Sequence, residues 1–108
     1  MIFQNKQTNT LDQTLACLKH QGYQLKFRRE AGCIYCFEMQ EWIMPENFTV
    51  DESYYFGDVR NPDADRILYA ISLADGNRGS MVDACNVYAD NISDEMEQKL
   101  QWKYPLLS

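Results

Sequence analysis

Residues 66–74 read RILYAISLA, with five consecutive apolar positions at Ile67, Leu68, Tyr69, Ala70 and Ile71. Successive side chains of an extended segment point to opposite faces. A strand of this composition therefore needs cover on both sides, as a central strand of a layered domain has. Asp75-Gly76-Asn77 follows. It is a strong hairpin signal, and it predicts that residues 80–88 return antiparallel to the central strand. The chain is thus expected to build outward from one β-hairpin.

A helix is predicted ahead of the strands. Thr10-Leu11-Asp12-Gln13 has the capping-box pattern, and Leu11, Leu15 and Leu18 repeat at helical spacing. Gly22 suits the left-handed position that ends a helix, and Tyr23 beyond it is placed to touch Leu18. Tyr23, Leu25 and Phe27 then alternate with polar residues, the pattern of a half-buried strand. Residues 33–37 and 41–44 are the next extended stretches. Met44-Pro45-Glu46-Asn47 predicts a turn or one helical turn. Phe48 to Phe56 reads as extended, with Phe48, Val50, Tyr54 and Phe56 expected on one face. A polar loop follows from Gly57 to Asp65. Ser93 caps a last helix with Met96, Leu100 and Tyr104 as its stripe and Pro105 closing it. The sum is an α+β fold: an N-terminal helix, an antiparallel meander of four to five strands and a C-terminal helix, with both helices on one sheet face. Residues 10–104 make one domain, and residues 1–9 are expected to be mobile. A chain of 108 residues can bury a core without metal or disulfides to hold it.

Charge narrows the partners. The net charge is −6, and Lys26-Phe27-Arg28-Arg29 is the one basic cluster. Phosphate backbones repel such a chain unless its cations are focused on one face, so nucleic acid is not an expected partner. No apolar run approaches the roughly 20 residues of a membrane span, and the first residues lack the apolar stretch of a secretion signal. The expectation is a cytoplasmic protein whose four cysteines are thiols.

Cys17-x-x-His20 and Cys33-x-x-Cys36 offer three thiols and an imidazole at zinc-module spacing. Zinc binding through Cys17, His20, Cys33 and Cys36 is accordingly one alternative. Against it, Cys33 and Cys36 lie in a strand-like run whose residues three apart face opposite ways, and Ile34, Tyr35 and Phe37 favour extension over a knuckle. A redox pair needs its first thiol at a helix N-terminus, and no helix pattern follows Cys33. The preferred reading makes Cys33, Cys36 and Cys85 small apolar core residues. Asp51, Glu52, Asp58, Asp63 and Asp65 gather carboxylates around the middle loop, but Asp63-Ala64-Asp65-Arg66 breaks the pattern of a calcium loop. Serine-elbow, phosphate-loop and dinucleotide motifs are missing. A second alternative is a small-molecule pocket between sheet and helices that uses Tyr54, Tyr69, Asp83 and Arg66.

The block FTVDESYYFGDVRNPDADRILYAISLADGNRGSMVDACNVYAD resembles the core of a group of small uncharacterised bacterial proteins. Their pattern runs F-x-I/V-D-E-x-Y-R-F-E-G, a D/N-P-D-D loop, I-L-Y-A-I, D-G-x-K/R-G and L/V-V-D-A-x-G-V-Y-x-D. The likeness spans about residues 10–103, with Tyr55 in the Arg slot, no Glu before Gly57, and Asn86 where Gly is usual. Proteins of this group often carry the label phosphoribosylpyrophosphate synthetase. The resemblance implies a shared fold unit. It does not imply that activity, because the synthetase is roughly three times longer and needs a second domain's worth of fold. Nor does Ser80-Met81-Val82-Asp83-Ala84-Cys85 offer a phosphate-binding turn. The expected function is a non-enzymatic interaction or regulatory module without a cofactor, acting as a homodimer or with a protein partner. Trp42, Trp102, Phe3 and Ile2 fall outside the core pattern and are its contact candidates.

Overall fold

A computed structural model describes residues 10–57, 66–84 and 93–101. Helix α1 (Leu11–His20) begins as its capping box requires: the Gln13 amide donates to Thr10 Oγ1 at 3.1 Å, and the Thr10 amide donates to Gln13 Oε1 at 2.9 Å. It ends where Gly22 takes φ 102°. There the Tyr23 amide donates to Leu18 O at 2.9 Å and the Gly22 amide to Lys19 O at 3.1 Å, the paired bonds of a Schellman ending. Six strands follow: β1 (Leu25–Arg29), β2 (Ile34–Cys36), β3 (Glu41–Ile43), β4 (Phe48–Phe56), β5 (Arg66–Leu73) and β6 (Arg78–Ala84). A single 3₁₀ turn, Pro45–Asn47, sits between β3 and β4, and helix α2 (Asp94–Gln101) comes last. Ser93 Oγ accepts from the Met96 amide at 3.3 Å, which is the expected cap. Tyr104, Pro105, the loop carboxylates Asp58, Asp63 and Asp65, Cys85, and the contact candidates Ile2, Phe3 and Trp102 lie outside the described residues.

The fold is α+β, but the sheet is mixed. Its strand order is β3-β2-β1-β6-β5-β4. β1–β2–β3 is one antiparallel meander and β4–β5–β6 is another. The two are joined where β1 runs parallel to β6, with Leu25 opposite Gly79 and Phe27 opposite Met81. The expected single antiparallel meander therefore gives way to two, with six strands in place of four or five. An ion pair braces the same junction: Arg29 Nε donates to Asp83 Oδ2 at 2.6 Å, with both side chains largely covered.

The connection between β3 and β4 bends the whole sheet. β3 and β4 occupy opposite edges, about 24 Å apart if six strands lay flat at their usual spacing of about 4.8 Å. Only residues 44–47 separate Ile43 from Phe48, and so short a segment spans at most about 17 Å. The sheet must coil until its two edges face each other. The buried cluster agrees, because Ile43 of β3 and Phe48 of β4 share it with Phe27, Ile34, Cys36, Val50, Ile67, Tyr69, Ile71, Leu73 and Met81. Met96 and Leu100 of α2 complete this inner core. The outer face of β5 presents Leu68 and Ala70 to Leu18 of α1, with Leu11, Leu15, Tyr23, Tyr54 and Phe56 around them.

The helices thus lie on opposite faces of the sheet, not on one. β5 accounts for this, since its apolar residues alternate between the two clusters and demand cover on each side. A second correction concerns β4. The register slips between Val50 and Glu52, so that Val50 faces Ile71 and Glu52 faces Ala70. Asp51 is the extra residue of a β-bulge, and a bulge reverses the phase of everything after it. Phe48 and Val50 consequently point into the inner core, whereas Tyr54 and Phe56 pack under α1.

β4 is a nine-residue edge, a length that invites unwanted strand pairing. The bulge interrupts it, and Lys99 Nζ donates to the Phe48 carbonyl at 2.6 Å from α2. One outward-facing acceptor is thereby occupied by a cation.

Candidate functional site

The residues proposed from sequence are widely separated. Cys36 is fully buried in the inner core, where Cys36 Sγ lies 3.8 Å from Glu38 Oε1. Cys33 is partly covered at the β1–β2 turn, and Cys17 is exposed on α1 beneath the other sheet face. His20 sits exposed in the last turn of α1. Among the described residues no three His, Cys, Asp or Glu side chains gather at metal-binding distance. Burial first, and the Glu30 carboxylate second, push the Cys33 pKa up. A thiol held in its protonated form is a poor nucleophile. Thiol labelling of native protein should therefore modify Cys17 first and Cys36 only on unfolding, with at least about a hundredfold between their rates. Mass spectrometry of the labelled peptides checks this order, and equal rates at Cys17 and Cys36 would contradict the placement of Cys36.

The four pocket residues are divided by the sheet. Tyr69 is 4% exposed and belongs to the inner core, and Asp83 meets Arg29 on that side. Tyr54 packs on the α1 side, and Arg66 shares the strand phase of Leu68 and Ala70. Two of them thus lie on each face of the sheet. An open groove does run between α2 and the start of β4, bordered by Pro45, Val50, Glu95 and Lys99.

The bulge makes a polar cluster of its own. Asp51 accepts from Tyr23 Oη at 2.9 Å and also from Ser72 Oγ, and Glu52 accepts from Tyr54 Oη. The Arg78 guanidinium lies 5.2 Å above the Tyr23 ring. For Tyr54, burial comes first and the Glu52 carboxylate second, and together they raise the hydroxyl pKa well above its ordinary value of 10.0. Tyr23 is raised by burial and by Asp51 in the same sense. An acid with a higher pKa in the folded state favours folding only while both states are protonated. Stability should be level in this respect below about pH 10 and should fall above it, as the unfolded chain gains by ionising. In alkaline denaturation followed by tyrosinate absorbance, Tyr54→Phe should flatten that fall. An unchanged slope would remove Tyr54 as its source.

The third cluster is the most exposed. On β1–β2–β3, the face turned away from the inner core carries Lys26 and Arg28, then Tyr35 and Phe37, then Trp42. Arg28 pairs in register with Tyr35, and Tyr35 with Trp42, so the three form one row across the strands. The Tyr35 and Trp42 rings are tilted at 4.7 Å, and Phe37 meets Tyr35 edge-on at 5.5 Å. The Arg28 guanidinium lies over both Tyr35 and Phe37, at 5.1 and 5.5 Å, while Arg28 Nε donates to Glu30 at 2.5 Å. Trp42 is 58% exposed, Met44 47% and Phe37 45%. α1 contacts β4–β5–β6 side chains and leaves this half of the outer face open among the described residues.

Trp42 was legible from sequence as a residue outside the core pattern, but its neighbours were not. Tyr35 and Phe37 alternate with the buried Ile34 and Cys36, and that alternation was the available signal for a second, outward-facing apolar row. No family model matches this chain, and no curated protein or solved structure is found to be similar to it.

Proposed function

We propose that this protein is a non-enzymatic interaction module whose contact surface is the aromatic face of β1–β2–β3. The observation carrying the proposal is the exposure of Trp42 and Phe37 around the Tyr35 ring, which Arg28 covers, with the exposed Met44 two residues beyond Trp42. Large rings and arginine dominate the energetics of protein contacts, the rings because they bury much area with few rotors to freeze and arginine because its planar fork is pre-organised for stacking and hydrogen bonding. A stacked and ion-paired row has already lost part of that freedom, so less remains to be lost on binding. Glu30 is paired with Arg28, and the exposed Glu38 accepts from the Lys26 backbone amide, a mixture of signs that suits protein and opposes phosphate.

The interior supports the same reading. The inner core is filled by strand side chains and by Met96 and Leu100. The stretch beginning at Ser80, where a phosphate loop would be sought, is strand β6 in this fold. Its backbone is paired with β5 over its length and with β1 from Gly79 to Met81, so those amides are turned to the ladder. No helix among the described residues is long and apolar enough to cross a membrane, and free thiols at Cys17, Cys33 and Cys36 suit a reducing cytoplasm.

Hydroxyl-radical footprinting tests the proposal, comparing dilute protein with concentrated protein and with protein in extract of its source cells. Phe37, Trp42 and Met44 should be protected at least about threefold in one of the crowded samples, while Tyr55, exposed near the far end of β4, stays unchanged. Uniform reactivity of all four in every sample would remove the face as a contact surface.

A further inference from the structure

We infer that the occupant of this face is a second copy of the same chain, docked about a two-fold axis with the β1 strands running antiparallel. The inference rests on reading the face as a contact surface and adds the identity and geometry of the partner. Two chains that each carry −6 repel, so they can meet only where charge is locally balanced. This face comes near that balance: Lys26 and Arg28 share it with Glu30, which Arg28 holds, and the exposed Glu38 accepts from the Lys26 backbone amide beside it.

The order of the charges selects the geometry. Lys26 and Arg28 alternate along β1 on the outer side of the sheet, and Glu30, one residue past the strand's end, brings its carboxylate to Arg28 on that side. A two-fold axis perpendicular to β1 at Arg28 reverses that order in the second copy. Lys26 then faces the second copy's Glu30, and the same pair forms again across the axis, as an isologous contact requires. A parallel arrangement would instead set Lys26 against Lys26 and Glu30 against Glu30. The residue on the axis does not spoil the contact, because Arg28 is neutralised by its own Glu30 and spread over two rings. Flat guanidinium groups tolerate stacking in that setting. Tyr35 and Trp42, in register with Arg28, lie along the axis and meet their own copies, while Phe37 and Met44 flank it and add apolar area.

The contact should be weak. One strand of five residues and two of three cover at most roughly 14 by 17 Å, an area below that of standard specific interfaces and in the range of weak, transient contacts. Association is therefore expected in the range of tens to hundreds of micromolar.

Sedimentation equilibrium from about 1 to 500 µM, with circular dichroism on every variant, reads the result. Wild type should shift from monomer to dimer, and Trp42→Ala should remain monomeric with an unchanged spectrum. Lys26→Glu and Glu30→Lys should each weaken the dimer at least about tenfold, because each sets like charges face to face. The double variant Lys26→Glu/Glu30→Lys should return to within about threefold of wild type, since it restores both pairs in reversed polarity. A monomeric wild type at every concentration overturns the inference. If footprinting still shows protection in cell extract, the contact surface stands and its partner is another protein. A dimer lost in Trp42→Ala but not rescued by the double reversal keeps the face and overturns the antiparallel two-fold.

Discussion

Gly79→Ala should lower the melting temperature by roughly 10–20 °C, the largest loss expected from adding a single carbon to this protein. A Cβ at residue 79 would sit 2.4 Å from the Leu25 carbonyl oxygen and 2.7 Å from its carbon. These are backbone atoms of β1, so no rotamer change can relieve the clash. The strand itself has to move. Leu25 opposite Gly79 is also the first pair of the parallel junction, where the ladders of the two meanders meet. Displacing β1 there withdraws Phe27 from Met81 and strains the Arg29–Asp83 pair a few residues on. Overpacking of this kind costs about 3 kcal/mol, a large part of the total for a domain of this size. Gly32→Ala provides the comparison: nothing lies within 4 Å of its added carbon, so its effect should stay within about 0.5 kcal/mol. Calorimetry on the two variants decides the matter, and amide exchange at Leu25–Phe27 locates the damage. Equal melting temperatures would mean that β1 and β6 are not in close register.

The same glycine shows what the sequence could and could not disclose. A glycine inside a strand signals close approach of another backbone, so Gly79 was a readable mark of a tight neighbour. It could not say that the neighbour was β1, more than fifty residues earlier and parallel. Local signals came through faithfully. The Thr10 capping box, the Gly22 exit, the Asp75–Asn77 turn and the full extent of β4 all depend on residues a few positions apart, and all are present. The bulge at Asp51 was hidden for a different reason. Phe48, Val50, Tyr54 and Phe56 continue one even-numbered alternation straight through it, and the polar Asp51 and Glu52 leave the phase change without an apolar marker. The one-face placement of the helices conflicted with a reading already available. Apolar residues on both sides of β5 demand two covers, and the structure supplies them with α1 and α2. Among the candidate sites, the strand-like run around Ile34 and Tyr35 carried the signal that Cys33 and Cys36 part ways: Cys36 is buried in the core and Cys33 is partly covered at the turn. The aromatic row, by contrast, depends on pairing between strands, which no local pattern specifies.

Phe48→Ala should cost about 3–5 kcal/mol, whereas Trp42→Ala, the same kind of truncation on a ring of comparable size, should cost less than about 1 kcal/mol. Phe48 is 2% exposed and lies where the coiled sheet closes. It is the first residue after the 3₁₀ turn that carries the chain from one edge to the other. Its ring belongs to the inner core with Ile43 and Met96, and the Lys99 ammonium lies 5.5 Å from the ring centre while donating to the Phe48 carbonyl. Removing the ring opens a cavity between the two edges of the sheet and takes away the surface on which α2 rests. The measurements are denaturant unfolding for the magnitude and amide exchange in α2 for the location, where protection at Met96–Leu100 should fall before that of β5. Trp42 projects from the opposite face into solvent and has no such duty. If the two variants differ by less than about 1 kcal/mol, the sheet is not closed over Phe48, and the account of its curvature fails. A wide gap between them means that the fold is held from inside the coil, so the outer aromatic row is not needed for stability and is available for contact.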